Sequence, residues 1–180
     1  MKKGIISKLV SDHKSVVEYR LPLSDDLLAM NCLVGKSIKI THTGNKFCVK
    51  TGKKIKKTFG QGYSWESFIT SPECDQCIFQ PELCHYSKGT CRDEKWGETH
   101  CMQPHVIYLS LTSNLKIGIT RKTQVPTRWV DQGAVAAIKL CEVSNRLASG
   151  KIEVEIAKTM GDKTNWRNML KNSYPETDLL

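Results

Sequence analysis

The clearest alternation of apolar and polar positions lies in the last third of the chain. Residues 105–111 (HVIYLSL) and 114–120 (NLKIGIT) each alternate like a half-buried strand, and Thr112-Ser113-Asn114 between them predicts a hairpin. Residues 125–138 (VPTRWVDQGAVAAI) carry a mixed helical face, with Pro126 near the start. Strand character returns at 138–144 (IKLCEVS). A second helix is expected to begin after Ser149-Gly150. A third is expected within 162–172, with Asp162 or Thr164 as its N-cap and a frayed tail after Tyr174. The predicted order is strand, strand, helix, strand, helix, helix.

The first third reads as β-rich. Residues 37–44 (SIKITHTG) and 45–52 (NKFCVKTG) are short β-prone runs, with turn signals at Thr43-Gly44-Asn45 and Thr51-Gly52-Lys53. Gly60 and Gly62 then flex the chain among aromatics. From Ser71 to Pro104 aliphatic residues are few and ligand-type residues many, so this segment cannot build an apolar core by itself. The pattern predicts an α+β protein in three parts: a basic β-rich region at 1–70, a cysteine-rich connector at 71–104, and an α/β part at 105–180.

Composition narrows the class. With 39% hydrophobic and 25% charged residues, the 180-residue chain suits a soluble globular protein. No apolar run approaches a membrane span, and the basic start lacks the apolar stretch of a signal peptide. A cytoplasmic location follows as the expectation, where reduced thiols favour metal binding over disulfides. The net charge of +9 is unevenly placed. Residues 1–70 hold thirteen Lys and Arg against five Asp and Glu, and eight lysines with no acid fall between Lys36 and Lys57. Lys50, Lys53, Lys54, Lys56 and Lys57 form the densest part. Such a patch suits a nucleic-acid backbone or another polyanion; it equally suits a solvated face that keeps the protein soluble.

Five of the eight cysteines fall between positions 74 and 101. They occur as Cys74-Asp-Gln-Cys77, Cys84-His85, Cys91 and His100-Cys101. A tetrahedral zinc site needs four ligands, and a C-x-x-C pair grips one ion from a single turn. Cys74 and Cys77 are the firmest candidates, and two of Cys84, Cys91 and Cys101 would complete the set. A closed four-ligand zinc site is structural. Iron-sulfur ligation and a thiol switch are the alternatives. Cys32 and Cys141 stand apart and read as small buried hydrophobes.

Two resemblances rest on specific residues. The run CDQC…QPELCHYSKGTCRDEKWGETHC, followed by VIYLSLTSNLKIGITRKTQVPTRWVDQGA and DKTNWRNML, resembles a bacterial family of uncharacterised zinc-site proteins, domain of unknown function 2797, over roughly residues 40–172. That family carries two further C-x-x-C pairs where this chain has Cys48, Thr51, Ser64 and Ser67. The resemblance therefore implies a first metal site that has lost three of its four ligands.

The C-terminal part resembles the GIY-YIG nuclease fold. Val106-Ile107-Tyr108 stands for the first motif and Lys116-Ile117-Gly118 for the second. This resemblance implies a phosphate-facing Arg128 and a Mg²⁺-binding Glu153. Tyr108 would orient or deprotonate water, Lys116 would give electrostatic support, and Arg121 and Lys122 would contact the backbone of a nucleic acid. The first motif lacks its Gly and the second its Tyr. The plainer readings are a packed Tyr108, an Arg128 salt-bridged to Asp131, and helix charges at Glu153 and Glu155 paired with Lys151 or Lys158. Trp129, Gln132 and Gly133 mark a possible substrate-facing surface. Asn165, Trp166 and Arg167 form a second polar-aromatic group, for which a core role of Trp166 is preferred over base stacking. The expectation is a zinc-containing nucleic-acid-binding protein with a GIY-YIG-like, Mg²⁺-dependent endonuclease site. The alternatives are a non-catalytic module that binds nucleic acid or protein, and an iron-sulfur or thiol redox protein.

Overall fold

The computed structural model describes residues 1–161, 163–175 and 179. Asp162 and most of the tail lie outside them. The chain is mixed α/β and divides into two compact units, Met1–Cys74 and Asp75–Leu180.

The first unit holds two small antiparallel sheets. Strands β1 (Val10–Asp12), β2 (Glu18–Leu23) and β3 (Asp26–Ala29) form one, with β2 in the middle. Asn31 stitches its open end: its side chain accepts from Tyr19 N–H at 2.7 Å and donates to the Val17 carbonyl at 2.8 Å. Strands β4 (Lys46–Phe47) and β5 (Lys54–Ile55) form the other, joined through Gly52 at φ +68°. Helix α1 (Trp65–Thr70) is capped by Ser64, whose hydroxyl accepts from Ser67 N–H. Phe59, Trp65 and Phe68 cluster with ring centroids 5.0–6.2 Å apart. Residues 37–44 do not form the expected strand. Ile38 and Ile40 are 54% and 71% exposed, so no core covers the alternating face that would hold one.

The second unit begins with short elements: α2 (Gln76–Phe79), two 3₁₀ turns at 81–83 and 86–88, and α3 (Glu94–His100). Its centre is an antiparallel sheet of β6 (His105–Leu111), β7 (Leu115–Arg121) and β8 (Ala136–Val143), in the order β7-β6-β8. The hairpin pairs Leu111 with Leu115, as the alternation predicts. The middle strand β6 is buried along nearly its whole length, which explains its almost continuous apolar run. Its pairing with β8 shifts between Ile107 and Tyr108, a bulge that turns the local twist beside Tyr108.

Helix α4 (Thr127–Asp131) starts at Pro126 but is short. Gly133 at φ +65° ends it, and the expected helical stretch beyond becomes the start of β8. Helix α5 (Arg146–Ala157) begins earlier than expected, capped by Asn145, whose side chain accepts from Ala148 N–H. Ser149 and Gly150 lie inside it. Gly150 does not break the helix; it makes room, since a Cβ there would sit 2.5 Å from Pro81 Cβ and Glu82 N. Helix α6 (Trp166–Leu170) is capped by Asn165 rather than Thr164. Cys32 and Cys141 are exposed, correcting their reading as buried hydrophobes. Among the described residues no helix is long and apolar enough to cross a membrane.

Candidate functional site

Strand β6 places Val106, Tyr108 and Ser110 on one face. Tyr108 is fully buried, and its partner across the hairpin is Gly118. A Cβ at Gly118 would lie 2.8 Å from Tyr108 Cζ and Oη, so the glycine makes room for the ring. The ring also tilts against Trp129 at 5.8 Å. Tyr108 Oη meets the Gln132 side-chain amide at 2.9 Å. The amide orientation that satisfies both its ends has Gln132 donating to Tyr108 Oη while its oxygen accepts from Arg128 Nη2 at 3.0 Å and Nε at 3.1 Å. In that arrangement the Tyr108 hydroxyl accepts from the Gln132 amide.

Burial pushes the Tyr108 hydroxyl up in pKa, Arg128 pulls it partly back, and Glu153 on α5 raises it further. Tyr108, Arg128 and Glu153 are thus gathered within electrostatic reach of one another. A hydroxyl held protonated at neutral pH orients and donates; it does not abstract a proton. Lys116 is buried, two residues from Gly118 on the same face of β7. Arg128 is engaged with Gln132, a residue the sequence marks only as part of a surface. The helix-charge reading does hold for Glu155, which pairs with Lys158 at 2.6 Å. Arg121 is half-buried near Arg146 and Cys101, and Lys122 is committed to Glu142 at 3.0 Å.

In the cysteine-rich segment, the ligand atoms of Asp75, Cys77 and His85 all lie within 4.8 Å of one another and can hold a metal ion. Asp75 caps α2, accepting from Cys77 N–H, and it also faces His85 Nε2 at 3.4 Å and Arg92 Nε at 2.8 Å. Burial opposes its charge, but the Cys77 N–H, His85 and Arg92 outweigh burial and lower its pKa. Sequence spacing treats Asp75 as a spacer inside C-x-x-C; its capping position before a helix is the signal that marks it.

The Cys77 thiol is pushed up to about 12, first by burial, then by Asp75, Cys84 and Cys101. The Cys101 thiol is pushed up to about 11, first by burial; Cys84 and Cys91 add to this and Arg146 opposes it. Cys84 and Cys101 thus act on Cys77, and Cys84 and Cys91 on Cys101, where a cation would favour the ionised forms. Arg146 ties this cluster to α5. Its guanidinium donates to Ile78 O at 2.6 Å and Cys77 O at 3.4 Å, and its backbone N–H donates to Cys101 O at 2.8 Å. His100 is stacked on Trp96 at 4.2 Å, with Nδ1 at 3.0 Å from Trp96 O. Cys74 ends the first unit, buried, with its thiol at the Tyr63 hydroxyl.

The first unit brings together Cys48, Thr51, Ser64 and Ser67, the positions that the resemblance marks as a lost metal site. Cys48 Sγ is 1% exposed. It lies 3.5 Å from Ser67 Oγ and accepts from Ser64 N–H at 3.2 Å, and Ser64 Oγ is 3.0 Å from Ser67 Oγ. Hydrogen bonds from Ser67 and Thr51 lower the Cys48 thiol to about 5. These hydroxyls stabilise a thiolate at Cys48. The folded value lies below the unfolded one, near 9, so the unfolded chain binds the extra proton at intermediate pH. This contribution to stability is full above about pH 9 and is lost as pH falls through about 5. Wild type minus Cys48→Ser absorbance at 240 nm should show the thiolate appearing with a midpoint near pH 5. A midpoint near that of a free thiol would refute the anion hole.

Lys50, Lys53, Lys54, Lys56 and Lys57 are all exposed in the first unit. Lys50 Nζ reaches Ser71 Oγ at 2.9 Å and Glu73 at 3.8 Å, and Lys57 lies over the Phe59 ring at 5.1 Å.

Residues 35–180 match the model of a family described as protein of unknown function (DUF2797). No curated protein and no solved structure matches the chain.

Proposed function

The chain belongs to the DUF2797 family, described as proteins of unknown function, and from its geometry we propose a zinc-containing nucleic-acid-binding protein with a phosphodiester-handling cleft of GIY-YIG-like type. One observation carries the reading: Tyr108 and Arg128, far apart in sequence, are joined through the Gln132 amide, with the charge of Glu153 felt at the Tyr108 hydroxyl. Arg128 is exposed and presents a guanidinium fork suited to a phosphate, oriented by Gln132. Tyr108, fully buried and protonated, orients the Gln132–Arg128 pair from beneath. A lone carboxylate suits a well-hydrated Mg²⁺, and Glu153 would hold it; the ion would neutralise charge developing on the phosphoryl group. The lysine patch of the first unit supplies sequence-independent attraction. Cys77, with Asp75 and His85 beside it, is the proposed centre of a structural zinc site, to be completed from Cys84, Cys91 and Cys101 as their spacing suggests.

A second reading, a non-catalytic recognition module, is favoured by the raised Tyr108 pKa, which disfavours a base at that position. Labelled single- and double-stranded DNA and RNA, incubated with Mg²⁺ or Mn²⁺, separate the two. A nuclease loses cleavage in both Arg128→Ala and Glu153→Ala. Arg128→Ala should also weaken binding roughly tenfold or more, the size of a lost charged hydrogen bond. Binding without cleavage, indifferent to Glu153→Ala, establishes the recognition module. Absence of binding to every substrate at low salt overturns both.

A further inference from the structure

Trp166 is 58% exposed, against the core role expected from sequence. It borders a cavity of about 380 Å³, open to solvent and lined by Asn114, Lys163, Thr164, Asn165, Trp166 and Arg167. That volume falls near the low end of the roughly 300–1,000 Å³ of small-molecule sites. The Arg167 guanidinium stacks over the indole at 4.7 Å. The lining thus combines an aromatic platform, two cations, two amides and a hydroxyl, with no acid among the described residues.

The cavity has a fixed floor. Buried Thr112 and Ser113 of the hairpin turn hold the facing segment: Ser113 Oγ accepts from Asn165 N–H at 2.7 Å, and Thr112 Oγ1 lies 3.3 Å from Thr164 Oγ1. Asn165 Oδ1 already accepts from the N–H groups of Arg167 and Asn168. The recognition chemistry is therefore that of side chains, not of a helix end. From the other side, Gly133, next to Gln132, has no room for a Cβ against Met169, so α6 packs onto the turn that carries the Arg128–Gln132 pair.

We propose that this cavity binds one unpaired nucleotide, its base stacked on Trp166 and its phosphate held by Lys163 and Arg167. The proposal deepens the nucleic-acid reading and rests on it. The Asn114 amide offers a donor and an acceptor to a base edge, and Asn165 offers its Nδ2 donor. Stacking tolerates any base because each has a π-face, so little sequence preference is expected. A duplex, whose bases are already stacked, does not fit the platform.

The test is tryptophan fluorescence and anisotropy with a short labelled oligothymidylate, the matching duplex, and free thymidine monophosphate. The single strand should quench the indole and bind tighter than the duplex. Trp166→Ala should weaken the strand roughly tenfold, Trp166→Phe should retain binding but lose the quench, and Arg167→Gln should weaken the strand and lower its salt dependence. If Trp166→Ala fails to fold, Trp166→Phe and Arg167→Gln still decide. Quenching by the monophosphate at an affinity equal to the strand's identifies a free nucleotide as the ligand of the same pocket. Strand binding that falls with Arg128→Ala but ignores Trp166→Ala and Arg167→Gln overturns the pocket and leaves the cleft. Strand binding that falls with Trp166→Ala but ignores Arg128→Ala supports the pocket and fails the cleft. No binding of any probe by the wild type overturns both.

Discussion

Removing the metal with a chelator should unfold the cysteine-rich segment and lower the melting temperature by roughly 10 °C or more. Between Asp75 and Cys101 the elements are a four-residue helix, short 3₁₀ turns and a seven-residue helix. Helices this short do not persist alone, and the segment buries little apolar surface to fix them. The thiols of Cys77 and Cys101, pushed up to about 12 and about 11, stay protonated without a cation beside them. Binding must then release protons, so metal affinity should fall as pH falls. The damage should also travel. Arg146 bonds to the carbonyls of Cys77, Ile78 and Cys101, and Gly150 abuts Pro81, so loosening the segment frees the start of α5, which carries Glu153. Cys77→Ser should reproduce the chelator's effect. Metal analysis should find one zinc per chain in a colourless protein, as one tetrahedral site requires. A brown protein containing iron would replace zinc with a cluster, and a melting temperature indifferent to both chelator and Cys77→Ser would remove the metal altogether.

Gly118→Ala should cost about 1–3 kcal/mol and weaken nucleic-acid binding together with stability. The new Cβ meets the Tyr108 ring at 2.8 Å, and that ring is fully buried on the central strand, so it has nowhere to swing. Displacing it breaks the contact with Gln132 that orients Arg128. Two of the three closest atoms are Cζ and Oη, so Tyr108→Phe in the same chain should relieve part of the clash. Melting of the two single variants and the double variant then forms a cycle, and the double should be less destabilised than the sum. Additive losses would show that the glycine serves the backbone and not the ring. Binding that survives Gly118→Ala at wild-type strength would separate the Tyr108 group from the function.

Much of the second unit's local structure is legible in the chain. Alternation over 105–111 and 114–120 specifies the hairpin, and the order of strands and helices follows from periodicity and turn residues. These signals act between neighbours, so one sequence carries them. The misses share a different cause. Residues 37–44 alternate like a strand, but no surface covers them. Ser149-Gly150 reads as a helix start, but packing against Pro81 puts it inside α5. Trp166 reads as a core anchor, but the segment before it is pinned to the hairpin turn with the indole outside.

The sites divide along the same line. Composition and spacing alone pick out the cysteine cluster, because thiols and imidazoles crowded into a segment with few aliphatics suit metal ligation better than an apolar core. They also pick out Tyr108, Arg128 and Glu153 as candidates by type and order. Only the tertiary structure decides that Gln132 lies between Tyr108 and Arg128, that Glu153 comes within electrostatic reach of the Tyr108 hydroxyl, and that Asp75 joins Cys77 and His85. It also pairs Lys122 with Glu142. The reason is physical: propensity and turn chemistry are set within a few residues, whereas burial, electrostatic fields and hydrogen-bond partners are set by whatever the closed chain brings alongside.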